Sequence, residues 1–317
     1  MKRRICFWLA LILTLGFCAC AQTQVAALNG PTGMGLVKLM ADEEGGDEYA
    51  FTLAGSADMI TPKLVRGSLD IACVPANLAA ILYSKTEGQI RVLAVNTLGV
   101  LYIAERGNTV NTISDLKGRT IYAAGQGSTP QYALEYLLRE NGLDPEKDVD
   151  IRRKSEHAEC LASLMNNADA CALLPQPFVT VAQSQKEDIR IALDLNREWE
   201  TISGGKPLIT GVVIATAEFA DKHPDKADAF LAAYAQSVEY VNTHNEEAAA
   251  LIAKYGIVNE NVALKALPYC NIVCITGDGM KEMLAEYLGV LYERDPASVG
   301  GKVPDEGFYY IQTGAQK

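Results

Sequence analysis

Short apolar runs alternate with segments of helical spacing along most of the chain. Residues 24–28 read as a strand closed by the turn Asn29-Gly30-Pro31, and residues 35–40 as a helix. Strand-like runs at 49–53, 70–74 and 90–96 then alternate with helical patterns at 58–66 and 77–84. This β-α-β order predicts a mostly parallel sheet, because parallel neighbours need crossover helices. The order restarts with strands at 98–104, 120–124, 149–153, 170–174 and 189–195, and helices at 130–141, 158–166 and 178–185. In 130–141 the apolar face is Ala133, Leu134, Leu137 and Leu138, and Asn141-Gly142 supplies the stop. A last strand-like run at 208–215 leads into a tail, from Glu218 onwards, that reads as almost wholly helical. Its helices are predicted at 225–243, 246–255, 262–267 and 280–292.

No polar linker separates the two α/β units. The crossings near 95–101 and 209–214 are apolar and strand-like, where independent domains would have a flexible connector. The expected architecture is therefore α/β with two lobes, mixed and mostly parallel sheets, and a helical C-terminal extension. Lobe I is discontinuous, residues 21–97 and 216–317, and lobe II is residues 98–215. Two crossing strands make a hinge beneath an interlobe cleft, and closure around a ligand is the natural motion.

Residues 1–20 read as a targeting segment. Lys2, Arg3 and Arg4 precede an apolar run at 5–17, too short for a comfortable membrane anchor. Two exits are open. Phe17-Cys18-Ala19-Cys20 is similar to a bacterial lipobox with Cys20 as lipid anchor, whereas Ala19-Cys20-Ala21 is an A-x-A site cut before Gln22. Either implies export, with the lipoprotein form placing the chain at the membrane.

The 317 residues carry 28 Lys+Arg against 39 Asp+Glu, a net charge of −11, which argues against a nucleic-acid partner. A hydrophobic fraction of 49% excludes a disordered chain. Past Cys20 there are five cysteines, Cys73, Cys160, Cys171, Cys270 and Cys274, an odd number that leaves one unpaired. The expected state of each is a buried small hydrophobe. Cys160 with Cys171 is the pair to test for a disulfide, and Cys270 and Cys274 could share a helix face.

Ligand sites in parallel sheets lie at the carboxyl ends of strands. The turns there are neutral, small and rich in donors. Ligand contacts are accordingly expected from Asn29, Thr32, Gly33, Ser56, Asn77 and Asn96 in lobe I, and from Gln126, Ser128, Thr129 and Gln176 in lobe II. Ser128 and Thr129 should be the strongest in lobe II, since they open a helix whose first N–H groups favour an acceptor. None of these turns brings an Arg or Lys, which disfavours a phosphate gripped by side-chain charge.

Enzyme signatures are missing. Gly30-Pro31-Thr32-Gly33-Met34-Gly35 lacks the Lys-Ser/Thr of a P-loop, and Gly125-Gln126-Gly127-Ser128 lacks the third glycine of a dinucleotide fingerprint. No G-x-S-x-G elbow occurs. His157, His223 and His244 sit among charged neighbours and read as solvated, so no catalytic group, metal or cofactor is expected. Trp199 follows the last inner strand in an irregular stretch, where core packing and cleft lining are both open; Tyr83 and Tyr102 read as packing residues.

Four stretches carry a family resemblance: Gly67-Ser68-Leu69-Asp70-Ile71-Ala72, Ile113-Ser114-Asp115-Leu116-Lys117-Gly118-Arg119, Ala123-Ala124-Gly125-Gln126-Gly127-Ser128-Thr129-Pro130, and the segment from Ala168 to Phe178. With the leader and double crossing, the chain resembles ABC-importer solute-binding proteins of the type II periplasmic-binding fold, in the NMT1/THI5-like branch. In the last stretch Gln176 stands where that branch usually has Glu. The resemblance implies an exported receptor for a small anionic or heteroaromatic solute, with an ABC permease and ATPase as partners. A THI5-like pyrimidine-precursor enzyme and an exported ligand sensor are the alternatives. In the third stretch Ser128 and Thr129 face the cleft, whereas Ser114 and Gly118 bound a scaffold turn.

Overall fold

A computed structural model of the chain describes residues 22–312, so Cys20 and the leader lie outside the described residues. The first half of lobe I contains β1 (Thr23–Leu28), α1 (Pro31–Met34), α2 (Val37–Asp42), β2 (Tyr49–Ala54), α3 (Thr61–Val65), β3 (Ile71–Pro75), α4 (Ala76–Lys85) and β4 (Ile90–Leu98). Lobe II follows with β5 (Leu101–Arg106), β6 (Thr120–Ala123), α5 (Thr129–Glu140), β7 (Asp150–Arg153), α6 (His157–Asn166), β8 (Cys171–Pro175), α7 (Phe178–Gln185), β9 (Ile189–Asp194) and α8 (Leu195–Ser203). The chain returns through β10 (Ile209–Thr216) to α9 (Ala217–Lys222), α10 (Pro224–Thr243), α11 (Asn245–Lys254), α12 (Glu260–Ala266), β11 (Ile272–Ile275) and α13 (Gly277–Arg294).

The first sheet has the order β11-β4-β10-β3-β1-β2 and the second β7-β6-β8-β5-β9. Strands β1, β2 and β3 run parallel, while β10 pairs antiparallel with both β3 and β4. In the second sheet β5 alone runs against its neighbours β8 and β9. The strands by which the chain enters lobe II and returns, β5 and β10, both run against their neighbours, as does the edge strand β11 against β4. β10, assigned to lobe II by the expected boundary at 215/216, is hydrogen-bonded on both sides within the first sheet.

Two expectations about local structure need correction. The tail is not purely helical, because Ile272-Val273-Cys274-Ile275 forms β11 at the edge of the first sheet. Its β-branched residues suit a pleated edge, and Cys270 and Cys274 therefore share no helix. The single helical turn at 113–116 is opened by Thr112, not Ser114: Asp115 Oδ2 accepts from the Asn111 and Thr112 N–H groups and from the Thr112 hydroxyl. All five described cysteines are free thiols, including Cys160 and Cys171, and four of them are buried. Burial pushes both of those thiols up, Cys160 to about 12 and Cys171 to about 11, which leaves them as inert packing groups.

Helices α1, α2, α10, α11 and α12 cover one face of the first sheet in a core that includes Phe230, Tyr234 and Val241. Helices α6 and α7 cover the outer face of the second sheet. A third core runs without interruption from Val74 and Val95 of lobe I to Leu137 and Trp199 of lobe II. α13 joins it through Met280, Leu284, Tyr287 and Leu291. Trp199 resolves to core: it is 1% exposed on α8. Its ring lies 4.7 Å from that of Tyr136 and 5.3 Å from that of Tyr287. That helix is legible after the fact, since Asp194 caps it by accepting from the Asn196 and Arg197 N–H groups and Gly204 ends it in the left-handed region.

Candidate functional site

The carboxyl ends of β1, β2, β3, β6, β7 and β8 all open on one cavity of about 520 Å³ between the lobes. A cavity of this size suits a small organic molecule. Six of the ten expected contact residues line it: Asn29, Thr32, Ser56, Gln126, Ser128 and Gln176. Gln176 is 2% exposed, and its Oε1 accepts from the Thr180 hydroxyl at 2.8 Å, which turns the amide NH2 towards the cavity.

Four expected contacts stand elsewhere. Gly33 lies one turn inside α1, where an added Cβ would come 2.7 Å from the Leu28 carbonyl. Asn96 is fully buried on β4, beside Cys73 and Tyr234 on the helix-covered face of the sheet. The strand's alternation turns it away from the cleft. Thr129 and Asn77 are fully buried and bonded to each other across the lobes, Thr129 Oγ1 to Asn77 Oδ1 at 3.2 Å. Ser128 lines the cavity, but its hydroxyl donates to the Gly125 carbonyl at 2.7 Å and so shapes the turn. Of its main-chain N–H groups, that of Ser128 donates to the Gly125 carbonyl and that of Gly127 to Gln131 Oε1, and Pro130 has none, so this turn offers a solute little beyond the Gln126 amide.

The turn between β7 and α6 escaped the sequence reading. Arg153, Lys154, Ser155, Glu156 and His157 all line the cavity, and they overturn the expectation of a neutral cleft without Arg or Lys. Arg153 is committed to Glu135 Oε1 at 3.0 Å. Lys154 makes no ion pair among the described residues; its Nζ sits 5.3 Å from the centroid of the Tyr122 ring. A cation held over an aromatic face is positioned but not neutralised. The signal was present in sequence, since this too is a strand-to-helix turn, with five polar residues in a row from Arg152 to Glu156.

His157 is likewise no solvated residue. It opens α6, its ring packs tilted against that of Phe178 with centroids 5.6 Å apart, and its Nδ1 is buried without a partner among the described residues. Burial lowers the imidazole from 6.5 to about 4, so it is neutral at physiological pH. Between those two values the unfolded chain binds more protons than the folded one, so folding stability falls as pH drops from 6.5 through 4. Thermal scans should therefore show the wild type losing melting temperature faster than His157→Gln between pH 7 and about 4.5. Parallel curves would refute this account of His157.

Two glycines set close approaches here. An added Cβ on Gly55 would meet Glu156 Oε1 at 2.7 Å, so lobe II reaches directly onto the lobe I rim at this point. On Gly211 it would lie 2.8 Å from Thr32 Cγ2, so α1 seats on β10 only because that side chain is missing. Among the described residues, no Phe, Tyr or Trp lines the cavity.

Two lobes joined by crossing strands, with a cavity between them, make the two-lobed architecture of periplasmic binding proteins. The chain belongs to the family described as "ABC transporter, phosphonate, periplasmic substrate-binding protein", which matches residues 36–259. It is similar to YtlA of Bacillus subtilis, a protein named for binding, with 25% identity over 208 residues covering 64% of this chain. The match spans only 59% of that curated relative's length. The fold is shared with an ABC transporter protein of Parabacteroides distasonis at a TM-score of 0.75 and 22% identity, covering 92% of this chain and 99% of the other. It is shared also with the Escherichia coli periplasmic aliphatic sulphonate binding protein SsuA at 0.71 and 17%, covering 92% and 93%. The relatives named here do not single out the NMT1/THI5-like branch.

Proposed function

We propose that this protein is the solute receptor of an ABC importer and closes on a small phosphonate- or sulfonate-type oxyanion. The observation that carries this reading is Lys154, a cation with no ion pair among the described residues, in the lining of a cavity shared with the amides of Asn29, Gln126 and Gln176 and with the carboxylates of Asp58 and Glu156. The ammonium and the amides together match several oxygens of one anionic head group at once. A heteroaromatic solute fits less well, because ring stacking would fall to His157 alone. The permease and ATPase of the importer are the implied partners. Lipidation of Cys20 would hold the receptor at the membrane.

Calorimetry on the chain starting at Gln22, against methylphosphonate, ethanesulfonate, nitrate, small carboxylates and pyrimidines, tests the solute class. Saturable binding of a phosphonate or sulfonate is expected. Binding of a pyrimidine with no response to either oxyanion would overturn the reading. Labelled fatty acid incorporated by the wild type and not by Cys20→Ala would support the anchor; equal labelling would exclude it.

A further inference from the structure

Asn77 joins three segments of chain at the floor of the cleft. It is fully buried in the first turn of α4. Its Nδ2 donates to the Ser298 carbonyl at 2.9 Å and to the Gly127 carbonyl at 3.4 Å, and its Oδ1 accepts from Thr129. Carbonyl oxygens can only accept, so these two fix which way the amide faces. Ser298 and Asn77 belong to lobe I, whereas Gly127 and Thr129 flank Ser128 in the lobe II turn that lines the cavity. That turn is held from its own side as well. Gly127 N donates to Gln131 Oε1 at 2.9 Å, and Gln131 Nε2 donates to Glu135 Oε1 at 2.9 Å. The same Glu135 oxygen accepts from Arg153, the neighbour of Lys154.

We propose that Asn77 is a positioning residue, an interlobe latch that holds the 127–129 turn against lobe I and prolongs the stay of a bound solute without touching it. The effect on residence time rests on the solute-binding reading; the latch itself does not. Opening the lobes must break both bonds from Asn77 to lobe II and wet a buried amide, which costs free energy that a closed lobe pair retains. Solute and latch favour the same closed arrangement, so each strengthens the other's hold. The bond to Ser298 stays within lobe I and keeps the amide aimed for re-closure.

Thr129→Val removes the hydroxyl partner at constant volume, whereas Asn77→Ala also strands the buried Ser298 carbonyl, so the valine variant guards against a folding defect. The two singles and the double are compared for dissociation of methylphosphonate and ethanesulfonate, and for amide exchange at residues 126–129 in solute-free protein. Each single should speed dissociation about three- to tenfold while leaving association nearly unchanged. The double should be no worse than the stronger single, because both remove one shared interaction. Exchange at the turn should quicken in both singles. Additive effects, or unchanged dissociation of a probe the wild type binds, would overturn the latch. If the wild type binds neither probe, the solute reading fails and the exchange arm alone decides: unchanged exchange in both singles sinks the latch.

Discussion

Lys154→Glu should weaken binding of a phosphonate or sulfonate by about a hundredfold or more. A hydrogen bond to a charged group contributes about 1.5–3 kcal/mol, so losing the ammonium alone costs about tenfold to a hundredfold. Reversal adds a carboxylate that repels the solute, beside Glu156, which already lines the cavity. No ion pair among the described residues depends on Lys154, so the fold should stay intact; only its contact with the Tyr122 ring is lost. Lys147→Glu is the control. Lys147 pairs with Asp144 on the exposed loop before β7, at the end of that strand away from the cleft. Calorimetry on wild type, Lys154→Glu, Lys154→Arg and Lys147→Glu decides the matter. Wild-type affinity in Lys154→Glu would remove the cation from the site.

Trp199→Ala should destabilise the protein by about 3–5 kcal/mol, the usual cost of emptying a buried indole position. The ring is 1% exposed and sits between Tyr136 of α5 and Tyr287 of α13. The void would open at the contact between the lobes as well as inside one. Trp199→Phe keeps most of the volume and should recover more than half of the loss. Denaturant melts at constant slope provide the measurement. A loss below about 1 kcal/mol for the alanine variant would mean the site collapses readily or the ring is not core.

The sequence was most legible where one face of an element is buried and the other solvated, as in 130–141, which is α5 within a residue at each end. It was also legible at the strand-to-helix turns, because chain order alone places those at one edge of a parallel sheet. It was least legible for polar side chains. Asn77, Asn96, Ser128 and Thr129 all have residue types and positions that suit a ligand, yet three are buried against protein partners and the fourth braces its own turn. Nothing local distinguishes an amide that meets solute from one that meets the opposite lobe. The turn at Arg153–His157 was passed over because its charges read as solvated surface.

By itself the sequence determined the two α/β units, the double crossing between them, the edge on which a cleft must lie, and most but not all of the turns that reach it, the one between β7 and α6 being missed. These follow from hydrophobic periodicity and chain connectivity, which act over a few residues at a time. Only the tertiary structure decided that Lys154 and His157 line the cavity, that Asn77 is bonded to Gly127 and Thr129 of the other lobe, and that Trp199 is core. Each depends on residues that meet only in the folded chain: Lys154 with Tyr122 and His157 with Phe178 inside lobe II, Asn77 with Thr129 and Trp199 with Tyr287 across the lobes. These contacts join residues from about 20 to more than 200 positions apart, the longest being Asn77 with Ser298 inside lobe I, and no local pattern carries that information.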